Sequence, residues 1–257
     1  MSMGNMKNVL KRVPEVTLIF WIIKTLSTTV GETGADFLAA DLGLGMPIVA
    51  IVMSSIMAIL LYLQFANIKQ YIPTNYWAIV VLMSVVGTLV TDILVDMVGI
   101  SMMALSITFT ATMLIGFFIW YQSEKTLSIH SIDTGKREAY YWIIIMLAFA
   151  LGTAVGDLIA EHLGLGYGLT LLIFTCLIAA VSAAYFIFKI NGILAFWLAF
   201  ILTRPLGASL GDFLTQAPID GGLGVDMVLV NGLFFAVIIG LVLYLNAQRK
   251  EALSIQY

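Results

Sequence analysis

The chain has 257 residues, of which 61% are hydrophobic and 11% charged, and its mean hydropathy is +1.04. A soluble fold cannot bury that much apolar surface, so the composition specifies an all-α polytopic membrane protein and argues against a soluble enzyme or a nucleic-acid partner. The net charge of −3 says little here, because orientation in a bilayer depends on where Lys and Arg fall and not on their sum.

The basic start, with Lys7, Lys11 and Arg12, leads into a segment too long and too polar at its end for the apolar region of a cleavable signal peptide. Apolar stretches able to cross roughly 30 Å of hydrocarbon lie near 15–40, 47–66, 76–97, 101–121, 139–162, 167–188, 193–216 and 225–245. The expectation is eight transmembrane helices. Lys7, Lys11, Arg12, Lys69, Lys125, Lys136, Arg137, Lys189, Arg249 and Lys250 all fall on the side that holds the N-terminus. By the positive-inside rule both termini are then cytoplasmic. The remaining two bases, Lys24 and Arg204, lie within expected spans.

The connections on the far side are short, with Asp41, Asp96, Glu161, Asp220 and Asp226 in or beside them, and read best as solvated loop ends. The longest connection, 122–138, reads as a cytoplasmic linker between two halves of four helices. Cys176 is the single cysteine, which excludes a disulfide framework and a Cys-rich metal site. His130 and His162 have no partner at ligand spacing, so zinc or His-based catalysis is unsupported. Met97, Met102 and Met103 read as packing residues.

One skeleton recurs four times. An aromatic residue precedes Trp21, Trp77, Trp142 and Trp197; a glycine follows ten residues later (Gly31, Gly87, Gly152, Gly207), and an aspartate five residues after that (Asp36, Asp92, Asp157, Asp212). The Trp residues are 56, 65 and 55 apart, which defines a tandem repeat of two helices over 15–66, 76–121, 139–188 and 193–245. A two-helix period returns the chain to the same side, so the copies are parallel and not inverted. The residue before each aspartate is also small or short (Ala35, Thr91, Gly156, Gly211). Small residues four apart let helices approach closely in lipid, which places the Asp-bearing helices 1, 3, 5 and 7 inside and the others outside.

This arrangement resembles a family of bacterial membrane-anchored proteins built from four tandem copies of a two-helix repeat of unknown function, each with a characteristic Trp. Trp21, Trp77, Trp142 and Trp197 match it. The resemblance implies a multi-pass protein of the bacterial inner membrane and carries no established activity.

A carboxylate in hydrocarbon costs on the order of 2.5 to 3.5 kcal/mol at a helix centre and usually marks a pathway. Asp36, Asp92, Asp157 and Asp212, joined by Glu32 one turn before Asp36, are therefore the candidate cation or proton site. Crowded carboxylates share protons until a cation displaces them. Oxygen-only ligands suit a hard ion such as Mg²⁺, Mn²⁺ or Ca²⁺, or a monovalent ion, better than zinc or copper. Copies one and four add polar groups within the span: Lys24 and Thr28 in the first, Thr203, Arg204 and Pro205 in the fourth. These are expected to gate or to pair charges. Arg204 can pair with Glu32 or an Asp, or serve an anion; Lys24, three residues past Trp21, is expected to snorkel to the cytoplasmic interface. The Trp residues are read as an interfacial belt. Gly31, Gly87, Gly152, Gly156, Gly207 and Gly211 are the expected packing positions. The favoured function is a transporter of a small cation in the lipid bilayer; the alternatives are a membrane scaffold or sensor with structural ion pairs and, below it, an intramembrane enzyme. A bound cation is the one cofactor the residues suggest, and a homo-oligomer is compatible with the sequence.

Overall fold

The computed structural model describes residues 11–254, apart from the side chain of Leu253; Lys7, counted above among the basic residues, lies outside them. Eight long helices follow one another: Leu18–Asp36 (α1), Met46–Leu63 (α2), Pro73–Asp92 (α3), Met102–Glu124 (α4), Gly135–Asp157 (α5), Tyr167–Phe186 (α6), Gly192–Thr215 (α7) and Met227–Ser254 (α8). No strand occurs among the described residues. Seven of the helices are long and apolar enough to cross a membrane. The exception is α1, whose hydropathy is diluted by Lys24, Glu32, Asp36 and the hydroxyls between them.

Local chemistry sets the helix ends. Thr17 accepts from Phe20 N at 3.2 Å, Ser101 from Ala104 N at 3.3 Å and Thr134 from Arg137 N at 3.3 Å, each satisfying an orphan donor of a first turn. Asp226 does the same for α8 through Leu229 N at 2.8 Å, so this acid is a cap. Lys69, Lys125 and Lys189 adopt positive φ of 52°, 56° and 55° just after α2, α4 and α6. The expected 122–138 linker is shorter than its sequence suggests, because α4 runs on to Glu124 and the Thr134 cap starts α5 at Gly135.

The helices obey the repeat. α1, α3, α5 and α7 pack side by side in a closed ring, each touching the two next to it. The second helix of each repeat packs mainly on the first helix of the following one: α2 on α3, α4 on α5, α6 on α7, and α8 back on α1. The copies thus interlock, and the last helix closes the ring. α3, α5 and α7 are mostly buried, whereas α2, α4, α6 and α8 expose apolar faces such as Ile51, Ile107, Leu172 and Leu233.

The repeat glycines show how close the ring is. A Cβ on Gly31 would overlap Ser84, one on Gly87 would press on Phe149, one on Gly152 would overlap Arg204 and one on Gly207 would overlap Thr28. In every case the crowding residue stands three before the glycine of the next copy, so the contact is cyclic. Gly211 is also tight, against Thr33 Cγ2 at 2.9 Å; Gly156 makes only an ordinary contact with Pro205.

The interfacial reading of the repeat Trp residues is corrected. Trp77, Trp142 and Trp197 are buried and Trp21 is half-buried. They join Phe20, Tyr76, Tyr141, Phe196 and Trp120 in an aromatic cluster at one end of the bundle. Chain segments fold over that end: Trp197 Nε1 donates to Leu127 O at 2.9 Å, Arg12 N to Ile132 O at 3.1 Å and Tyr71 N to Lys11 O at 2.9 Å. Beneath this roof Trp77, Trp142 and Trp197 are enclosed by protein. Tyr62, Tyr121, Tyr185 and Tyr244 remain exposed, as a belt requires.

Candidate cation site

The inner helices carry an axial stripe of side chains four residues apart: 20, 24, 28, 32 and 36 in α1; 76, 80, 84, 88 and 92 in α3; 141, 145, 149, 153 and 157 in α5; 196, 200, 204, 208 and 212 in α7. Four residues advance a helix by roughly 6 Å and slightly more than one full turn, so the stripe stacks five levels. Every member is buried except Asp36 and Asp92, which are half-buried.

The first level is aromatic, with Phe20 and Phe196 ring centroids 6.2 Å apart and the Tyr76 and Tyr141 hydroxyls hydrogen-bonded to each other. At the second, the Lys24 ammonium donates to Thr203 Oγ1 at 2.9 Å and lies 4.2 Å from the Phe200 ring centroid and 4.8 Å from that of Phe149. Lys24 is fully buried. The expectation that it snorkels to the interface is therefore corrected: its ammonium is held inside the bundle by Thr203 and the two rings.

Arg204, from the third level, reaches the fourth. Its Nη2 lies 2.6 Å from Glu32 Oε2, 2.5 Å from Thr88 Oγ1 and 2.6 Å from Thr153 Oγ1, three acceptors that share its two N–H groups. One nitrogen of α7 thereby touches α1, α3 and α5, which fixes it on the bundle axis. Thr88 also donates to the same Glu32 oxygen at 3.0 Å. Arg204 Nη1 and Nε are buried without a partner. The Thr28 hydroxyl lies 2.7 Å from Thr25 O and 3.2 Å from Thr203 O, which share its one hydrogen, tying α1 to the turn that precedes Pro205. α7 continues through Pro205 without a break.

Beyond Arg204 the axis is acidic. Glu32, Asp157 and Asp212, all buried, each offer a carboxylate oxygen, and these oxygens lie within 4.8 Å of one another. The three acids come from α1, α5 and α7. Asp36 and Asp92 are outside this group, although the repeat gives them the register of Asp157 and Asp212. In the first three copies a π-helical turn begins directly after the aspartate, at Phe37–Asp41, Ile93–Met97 and Leu158–His162. Such turns are rare and are often found at functional positions. Copy four departs from this: α7 ends at Thr215 and Gln216 N donates back to Asp212 O at 2.8 Å.

The family described as Repeat of Unknown Function (DUF347) matches residues 19–69, 75–126, 140–191 and 195–251. The chain belongs to this family. No curated protein and no solved structure matches it.

Within the DUF347 repeats, two groups at the site escape a reading by residue type, Thr88 and Thr153. The residue after each repeat glycine is Glu32, Thr88, Thr153 or Ala208, so their alignment with Glu32 is the signal that points to them. Asn231 of α8 was equally silent; its Oδ1 accepts from Thr33 at 2.8 Å beside the acidic helix.

Proposed function

We propose that this DUF347 protein is a transporter of a small cation, with Glu32, Asp157 and Asp212 as the ligand set. In this reading all eight helices span the bacterial inner membrane with both termini cytoplasmic, and the Asp-bearing helices line the path. The observation that carries it is the convergence of three buried carboxylates from three helices to within 4.8 Å. Buried acids in a bilayer protein are costly unless they are paired or bind a cation, and Arg204 pairs with only one of the three. Oxygen donors alone favour a hard ion such as Mg²⁺, Mn²⁺ or Ca²⁺, or a monovalent ion.

Arg204 acts here as a tethered cation that holds Glu32 when the site is without its ion. Binding of the substrate ion draws Glu32 toward Asp157 and Asp212, and a proton on one of those acids leaves as the ion arrives. Proteoliposomes holding the purified full chain should take up or release such an ion. Asp212→Asn should reduce the rate at least tenfold without changing the melting temperature by more than a few degrees. Unchanged flux in the Asp157→Asn, Asp212→Asn double variant overturns the proposal.

The Arg204–Glu32 pair supports a second reading, a membrane scaffold in which the axial charges only fix the fold. Neutralising Asp157 and Asp212 would then change stability while no cation stabilises the wild-type chain.

A further inference from the structure

A second polar site lies at the opposite, aromatic end of the bundle. A pocket of about 380 Å³ opens between the 11–17 segment, the start of α1, the 70–71 turn and the last turns of α8. Its walls are apolar where Pro14, Phe20 and Leu245 form them. Trp77, Tyr71 and Arg249 are among the residues that line it, the indole nitrogen and the hydroxyl oxygen being themselves buried.

These donors lack acceptors. Three buried indole N–H groups have no partner, those of Trp77, Trp120 and Trp142, and of these Trp77 borders the pocket. An indole nitrogen can only donate, so a buried one without an acceptor is costly unless a ligand supplies an oxygen. The Tyr71 hydroxyl is likewise buried and unpartnered. Burial pushes its ionisation up; the nearby Trp77 indole and Arg249 charge oppose that, but the indole does not reach it in hydrogen-bonding geometry. Arg249 has no ion pair among the described residues, whereas Lys11 on the same wall is neutralised by Glu15 at 2.9 Å. Among the described residues the lining therefore holds a guanidinium without an ion pair, and its one carboxylate, Glu15, is paired with Lys11.

We propose that this pocket binds a phosphate-bearing anion, held by the Arg249 guanidinium and the Trp77 and Tyr71 donors. Guanidinium and phosphate match in charge and in bidentate geometry. The source favoured by the walls is a membrane lipid: α8 exposes Leu243 and Tyr244 beside the site, so a glycerol backbone and acyl chains have an apolar surface to follow. The basic residues that gather at this end also suit the anionic leaflet. This inference is independent of the axial cation site, from which it is separated by the aromatic level.

The test is thermal unfolding of the purified full chain in a neutral detergent, titrated separately with phosphatidylglycerol, phosphatidylcholine and inorganic phosphate. A ligand of the native state raises the melting temperature. Phosphatidylglycerol should raise it by several degrees and phosphatidylcholine should not. Arg249→Gln, on a partly exposed turn, should need about tenfold more phosphatidylglycerol for the same rise, since it removes a charge-assisted bond. Lys250→Gln, next to it but outside the pocket, should behave like wild type. Trp77→Phe should weaken the response as Arg249→Gln does. If inorganic phosphate alone gives the Arg249-dependent rise, the pocket is an anion site filled from solution. Equal responses to the two lipids, or equal losses in Arg249→Gln and Lys250→Gln, overturn the proposal.

Discussion

Arg204 Nη2 and Glu32 Oε2 meet at 2.6 Å on the bundle axis, 172 residues apart in the chain and almost free of solvent. Their pairing joins the fourth repeat to the first, and the Thr88 and Thr153 hydroxyls add the second and third. Four helices thus share a single nitrogen atom. A buried ion pair gains little over a matched apolar pair, but breaking one by removing a single partner leaves an uncompensated charge, at roughly 3 to 5 kcal/mol.

Glu32→Gln and Arg204→Met alone should therefore each lower thermal stability strongly. The double variant should recover a large part of the loss, because neither charge is then stranded. Melting temperatures of the four proteins in one detergent test this as a double-mutant cycle. Additive losses would show that the pair does not carry the effect.

The ring predicts two opposite outcomes for one kind of substitution. A Cβ at Gly207 would overlap Thr28 and come within 3.1 Å of the Thr29 backbone nitrogen, whereas Gly34, in the same family of helices, has nothing within 4 Å. Gly207→Ala should cost about 1 to 3 kcal/mol by overpacking. Gly34→Ala should leave stability unchanged or raise it by up to about 1 kcal/mol through helix propensity. Chemical denaturation or thermal unfolding of both variants checks the sign.

Most of this architecture is written in the repeat, and what is not has identifiable causes. The glycine and aspartate registers follow from counting, because a helix turns a fixed spacing into a fixed face. Pairing of Arg204 with Glu32 rather than with an aspartate does not follow, since it depends on which copies are neighbours and how far a long side chain reaches. The same is true of the carboxylate trio: four aspartates at one register look equivalent, yet Asp157 and Asp212 are drawn to Glu32 while Asp36 and Asp92 are half-buried. The Trp residues misled because aromatic residues near span ends usually mark the interface. Here Leu127, Ile132 and Lys11 supply backbone acceptors from segments that fold over them, and local composition does not reveal such a roof. Lys24 lies deeper than its distance from Trp21 implies, because α7 offers it Thr203 and the Phe200 ring inside the bundle.

Among the described residues Lys24 has one hydrogen bond, to Thr203, two aromatic faces and no carboxylate partner. An unpaired ammonium in that setting is held at a cost that the rings and one hydroxyl offset only in part. Lys24→Met keeps the volume and removes the charge, so it should raise the melting temperature by a few degrees. A fall instead would mean that the cation–π contacts and the Thr203 bond outweigh burial.

Lys69 ends the π-helical turn Gln64–Ile68 that continues α2, in the left-handed region, φ 52° and ψ 19°, with its N–H donating to Gln64 O at 2.9 Å. A residue with a Cβ is disfavoured there by about 1 kcal/mol, and glycine is not. The Lys69 side chain is exposed and makes no ion pair among the described residues. Lys69→Gly should accordingly stabilise the protein by about 1 kcal/mol, read from thermal unfolding. Asn in its place should give a smaller gain.

Glu138 is the one fully buried acid at the aromatic end, and it holds that end closed. Arg12 Nη1 donates to Glu138 Oε2 at 2.6 Å and Gln64 Nε2 to Glu138 Oε1 at 2.7 Å, while Asn75 Nδ2 donates to Gln64 Oε1 at 2.8 Å. The 11–17 segment is thus tied through one carboxylate to α5 and to the Gln64–Ile68 turn after α2, and by way of Gln64 to α3. Glu138→Gln leaves Arg12 without its counter-charge in a largely buried position, so the segment should open locally before the bundle unfolds. Hydrogen exchange should quicken at the Arg12 and Tyr71 amides, which bond to Ile132 O and Lys11 O, and should be unchanged at the α5 amides around Gly152. Acceleration spread evenly over α5 would show that Glu138 supports the whole bundle and not the roof alone.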